Sequence, residues 1–318
     1  MKIRIKLTFG LLIILLFVSC GNNRIDNLKV GLILWPPLEF FYLADNLGYY
    51  KGHQIELISY SAPSEAIRAY KTGSLDVLLI TNQIFIRIND DLLSDRIIMV
   101  VDFSSGADQL LVHPGIDTFP ELKGKRLGVE SSALGAYVML RALDLHGIPP
   151  EEVIHVSADA ATQPIAFRQG KIDGVITFEP VATQIKKMGA IQLFSSEEIP
   201  YEIADILIST PRVIKEKRKQ LTALCNGFFK AHQDFQCAPE KYTSSIVKRA
   251  GITEQEFINS LSGVKILDRS KNLELFKDPY AGFYYSLTFV NQKMIEFGLA
   301  ENSHGVGLII DNSIMKGE

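Results

Sequence analysis

Cysteine is scarce in this sequence: there are three in 318 residues, none in a CxxC pair, and the six histidines are scattered with no HExxH among them. No ligand set stands at zinc spacing, so neither a metal nor any other cofactor is expected. A GxSxG elbow and a glycine-rich phosphate loop are also missing, which removes the clearest signals of a serine hydrolase or a nucleotide enzyme. There is no basic excess. The formal net charge is −3, whereas a nucleic-acid surface needs clustered cations, so no nucleic-acid partner is expected. The N-terminal apolar run, Leu11–Val18, is well short of the ~20 residues that cross a bilayer. With 47% hydrophobic and 22% charged residues, the chain has the balance of an ordinary globular protein.

What the N-terminus does carry is a pattern: Lys2, Arg4 and Lys6, the apolar run, then Ser19-Cys20-Gly21. A basic stretch, a short apolar core and a small residue before the cleavage point make a secretory signal, and a cysteine just after that point implies lipid attachment at Cys20. The segment resembles a bacterial lipoprotein signal, although Phe17 stands where leucine is usual. Removal of residues 1–19 takes away three cations and no acids, which shifts the formal charge from −3 to −6. The remaining cysteines, Cys225 and Cys237, fall in helical sequence. An oxidising compartment would let them pair, but nothing in their spacing requires it.

From Leu28 onward, short β-branched runs alternate with helical periods, the signature of βαβ units and a mostly parallel sheet. Strands are expected at Leu28–Trp35, Gln54–Ser59, Leu75–Ile80, Ile97–Phe103 and Gln109–Val112. A second series follows at Arg126–Val129, Val153–Val156, Asp173–Thr177, Ile191–Phe194 and Asp205–Ser209. Beyond Pro211 the pattern is almost wholly helical to about Leu299. The division read from this is a signal over 1–19, a discontinuous first lobe over 28–107 and 205–300, a second lobe over 112–203, and a tail over 301–318. Phe103–Val112 and Pro200–Ser209 are then the crossing segments of a hinge.

Several stretches together carry a family resemblance. Leu32–Gly52 (LILWPPLEFFYLADNLGYYKG), Ile67–Asp76, the LKGKRLGV of Leu122–Val129, and Phe167–Thr177 followed by Phe178-Glu179-Pro180 occur in order. They resemble the substrate-binding proteins of ABC importers in the nitrate, sulfonate, taurine and thiamine-precursor (SsuA/THI5-like) group. Val101–Asp108 and Val129–Gly135 resemble one branch of it. The resemblance implies an α/β, two-lobed type II periplasmic-binding-protein fold with a hinge and a helical C-terminal part. It implies capture of a small molecule, delivery to a membrane permease, a monomer, and a place in the periplasm or at the cell surface. A non-catalytic role is expected, the alternative being an enzyme or sensor on the same scaffold, since pyrimidine-precursor synthases also resemble it.

In open α/β sheets a ligand lies beyond the carboxyl ends of the strands, so each strand-to-helix junction supplies candidates. Trp35 offers a flat face for stacking, or packs within its own lobe. Ser61, Thr81 and Asn82 either touch ligand or cap helices. Ser131 and Ser132 open a helix whose free amides favour an anion, and the resemblance implies a sulfonate or carboxylate there. The acids Glu39, Asp102, Asp108, Glu130 and Glu179 fall at strand ends or pocket loops, with Ser104 between two of them. If two face the cleft, they select an amine or zwitterion. Alternatively, Asp102 and Asp108 brace the turn at Gly106.

Overall fold

The computed structural model describes residues 26–33, 35–89, 95–278, 282–301 and 309–317. The signal-like segment and Cys20 lie outside them. The chain begins with β1 (Leu28–Ile33), α1 (Glu39–Asn46), β2 (Ile55–Tyr60), α2 (Pro63–Lys71), β3 (Val77–Thr81), α3 (Asn82–Asn89) and β4 (Arg96–Ser104). β1 pairs in parallel with both β2 and β3. β3 and β4 are apolar through most of their length because both sheet faces are covered there. β2, at the sheet edge, alternates half-buried with exposed residues at Ile55–Leu57.

The chain then leaves this sheet at Ser104 and enters another at β5 (Gln109–Val112). It continues through β6 (Arg126–Val129), α4 (Ala133–Leu145), β7 (Ile154–Ser157), α5 (Gln163–Arg168), β8 (Gly174–Thr177), α6 (Val181–Lys186) and β9 (Ile191–Ser195). The second sheet runs in the order β7-β6-β8-β5-β9, with β6 parallel to β7 and β8, and β5 antiparallel to β8 and β9. Side chains on β5 alternate faces: Leu110 and Val112 join a core with Leu127, Leu143 and Phe194, while Leu111 joins another with Phe167, Val175 and Ile185. Each face of this sheet therefore has its own apolar cluster.

β10 (Ala204–Ser209) carries the chain back, pairing antiparallel with both β3 and β4. Then come α7 (Pro211–Glu216), α8 (Arg218–Cys237), α9 (Pro239–Ala250), α10 (Glu254–Ser262), β11 (Val264–Ile266), α11 (Arg269–Leu275), α12 (Phe283–Glu296) and α13 (Ser313–Lys316). The first sheet is thus six-stranded, in the order β11-β4-β10-β3-β1-β2. Among the described residues, β11 is the one strand inside the stretch expected to be helical; at three residues it is too short to show a period of two. It pairs with the outer edge of β4.

Packing settles two further points. The polar tail is not merely a tail: Ile309, Ile314 and Met315 are buried in the first core, and the Ile97 amide donates to the Ile309 carbonyl at 2.6 Å. Cys225 and Cys237 are both free, one buried and one exposed. Both sit on α8, where a separation of 12 residues at the helical rise puts them ~18 Å apart, far beyond disulfide reach.

Candidate functional site

Side chains hold the two crossings between the sheets in place. Asn82 and Gln83, which open α3, both donate to the Glu202 carbonyl, at 3.0 and 2.8 Å, and the Ala204 amide donates back to Asn82 Oδ1 at 3.0 Å. The carboxylate of Glu202 accepts from Tyr137 Oη at 2.6 Å and from Arg141 Nε at 3.0 Å, tying α4 to the return crossing. On the outgoing crossing, Ser104 Oγ and Ser196 Oγ lie 2.7 Å apart, and the Gly106 amide donates to Ser196 Oγ at 2.7 Å. Asn82 and Ser104, expected at the ligand, instead spend their polar groups on the hinge. A buried amide or hydroxyl must find a partner, and here the crossing backbone supplies it.

Acids collect at the same place. Asp102 on β4 lies opposite Asp205 on β10 in the antiparallel register, with Asp108 on the outgoing crossing close enough to act on both. Asp102 and Asp108 are 1% and 6% exposed. Burial is the main cause that raises all three: Asp108 to about 6, Asp205 to about 7, and Asp102 well above the carboxylate range, with the neighbouring carboxylates adding repulsion. Glu130 extends the group. It acts on Asp108, and burial lifts it against the hydroxyl of Ser132, which donates to its Oε1 at 2.5 Å. Among the described residues, no lysine, arginine or histidine is a cause of the shift in any of these four acids. In the sequence Asp205 reads only as the start of a strand; an acid opening the apolar run ILIS is the available signal.

Trp35 joins this group from the first lobe. Its ring meets Phe178, from the end of β8 in the second lobe, edge to face at 5.9 Å. The indole also lies beside Asp102 and favours its ionised form, yet among the described residues neither Trp35 Nε1 nor Asp102 Oδ2 has a partner at hydrogen-bonding geometry. Trp35 therefore bridges the lobes rather than packing only within its own.

The other candidates have different fates. Glu39, 1% exposed, is clamped by the Arg249 guanidinium, which also stacks on the Tyr42 ring at 3.5 Å. Burial still pushes the Glu39 carboxyl up against the pull of Arg249. Its partner stands 210 residues away, a pairing no local pattern shows, so Glu39 braces α1 against α9 rather than reaching ligand. Ser61 is exposed, and the N-cap of α2 is Ala62 with no side-chain bond, so Ser61 does not cap. Thr81 accepts from the Ile84 amide at 3.4 Å and lies opposite Asp205 in the register of β3 and β10. Ser132 caps α4 through the Gly135 amide at 3.0 Å, while the exposed Ser131 pairs with Ser157 Oγ at 2.8 Å. The start of α4 thus carries the Glu130 carboxylate beside it.

Glu179, 4% exposed, accepts the Thr183 amide at 3.0 Å at the start of α6. It lines a polar cavity of about 350 Å³ between the second lobe, the outgoing crossing and α10. A larger depression of about 610 Å³ lies on the outer face of α8, near Tyr49 and Lys230, with no strand end in its wall.

A sequence search finds no curated protein that matches the chain. Solved structures share its fold. They include the alkanesulfonate-binding protein SsuA from Xanthomonas axonopodis pv. citri bound to MOPS, at 14% identity and TM-score 0.74 over 90% of this chain and 98% of that one. Another is the ligand-binding component of an ABC-type import system from Staphylococcus aureus with zinc bound, at 13% identity and TM-score 0.74 over 92% and 98%. The desulfurization enzyme DSZB is also similar, at 13% identity and TM-score 0.68 over 92% and 98%. The fold is therefore the two-sheet α/β fold of periplasmic binding proteins, and it is used by an enzyme as well. A family profile for NMT1/THI5-like proteins matches residues 35–242, which span both sheets and the hinge, and the protein belongs to that family.

Proposed function

We propose that the protein is the solute-binding component of an ABC importer, capturing a small polar molecule between its lobes and presenting it to a membrane permease. The observation that carries this reading is the Trp35–Phe178 contact across the lobes, beside carboxyl groups whose shifts no cation among the described residues contributes to. Such a place is desolvated, polar and split between two bodies, so a ligand that touches both sides favours the closed arrangement by its extra contacts. Two crossings braced by side chains form a hinge on which the lobes move. The division into lobes follows the two sheets, with 28–107 and 205–300 on one side and 112–203 on the other.

Binding without turnover is the reading favoured here. Cys225, the buried thiol on α8, is pushed up to about 12 by desolvation, the wrong direction for a nucleophile. Export and attachment through Cys20 place the lobes at a membrane surface as a tethered monomer, consistent with the signal-like N-terminus. The test is mass spectrometry of small molecules released when the natively purified chain is denatured. A single species near one copy per chain is expected, with lower occupancy in Trp35→Ala, which loses the ring contact between the lobes. No released species at all would reject the reading.

A further inference from the structure

The cavity between the lobes has a composition that names its occupant. Its wall includes Gln109 from β5, Glu179, Thr183 and Lys186 from the second lobe, Glu197 after β9, and Asn259 from α10. Several N–H donors there are already engaged. Gln109 Nε2 donates to the Gly106 carbonyl at 2.7 Å, Lys186 Nζ to Gln192 Oε1 at 3.0 Å, and Asn259 Nδ2 to Thr183 Oγ1 at 3.1 Å. Acceptors remain. Gln109 is 4% exposed, and its Oε1 has no partner among the described residues; a buried carbonyl left in that state costs the desolvation of the group. Glu179 is equally buried, and its one described bond is to a neutral amide. The Glu197 carboxylate lies over Gly106, where a Cβ would stand 3.5 Å from its Oε1. The two carboxylates outnumber the single lysine.

We propose that this cavity is the seat of the captured molecule, and that its occupant is a small organic cation bearing several N–H donors, such as a primary amine or a guanidine, rather than a sulfonate or carboxylate anion. The inference rests on the solute-binding reading. It names the chemical class that the acceptor-rich wall selects: the N–H groups satisfy Gln109 Oε1 and Glu179, and the positive charge answers the excess of carboxylate. A sulfonate would instead bring three more acceptor oxygens and a negative charge to a wall in which Glu179 and Glu197 already outnumber Lys186.

The test is calorimetric titration and thermal shift on the full chain, with putrescine and agmatine as cationic probes and methanesulfonate and acetate as anionic ones. At least one cation binds and raises the melting temperature. Glu179→Gln, which preserves shape and removes charge, weakens it by about tenfold or more, whereas Lys186→Gln tightens it by about twofold or more, because the two changes move the local potential in opposite directions. Lys186 is exposed, so that variant folds even if a change at Glu179 does not. If no cation shifts the melting temperature, or if Lys186→Gln weakens cation binding, the inference is overturned. Binding of methanesulfonate in that case leaves the solute-binding reading standing. No response to any probe, together with no molecule released on denaturation, removes both.

Discussion

Glu39 and Asp205 illustrate how one residue type plays opposite parts. Glu39 has a guanidinium against it, and removal of that partner leaves a charge in a site that is 1% exposed. Arg249→Ala is therefore expected to lower stability by about 3 kcal/mol, the cost of a buried ion pair broken on one side. Chemical denaturation measures this, and ligand affinity should not change. Asp205 has no such partner. Its carboxyl titrates near 3.8 when unfolded and is raised to about 7 when folded, so between those values the folded state holds more protons and stability falls as pH rises. Urea denaturation of the ligand-free chain should show greater stability at pH 4.5 than at pH 7.5, and Asp205→Asn should flatten that slope. A stability that rises across this interval would contradict the assignment of unpaired carboxyls to the hinge.

Legibility from sequence also divides at this scale. The acids of the crossing segments stand out as charges in apolar strands, and Trp35 as the single tryptophan. The roles of Glu39, Asn82 and Ser104 were hidden because their partners, Arg249, Glu202 and Ser196, lie 210, 120 and 92 residues away. Long-range pairing leaves no periodic trace.

At the scale of elements, the strands were readable because buried strands concentrate β-branched and other apolar residues whichever way they pair: β4, β5 and β10 have antiparallel strand partners only, so the sheets are mixed rather than mostly parallel as expected. β5 and β6 fall where expected, and most others end within about two residues of the reading. β11 was missed, yet it positions the hinge. Gly263, between α10 and β11, accepts from the amides of Ser105 and Ala107 at 2.8 and 3.1 Å. A Cβ there would stand 2.9 Å from the Ala107 backbone, which cannot swing aside as a flexible side chain would. Gly263→Ala is expected to cost about 1–3 kcal/mol by overpacking and to disturb the outgoing crossing. A melting temperature equal to that of the parent would show that β11 is not seated against the hinge.

The molecule as a whole is two sheets, each with its own cores, joined by two crossings and bridged at the strand ends by Trp35 and Phe178. Apart from Ala133 and Tyr137 of α4, which are buried in the first core, the cores are separate, so each lobe moves as a body: close-packed interiors resist deformation while the crossings between them bend. The central claim is that these bodies clasp a solute between them. It is tested most directly by the distance between spin labels at the exposed positions Glu65→Cys and Ala161→Cys, one in each lobe, in a Cys237→Ser background. The chain purified with its ligand should give one short, narrow distribution, and the chain refolded without ligand a longer, broader one that collapses to the first when the released molecule is restored. Identical distributions in all three samples would contradict the account.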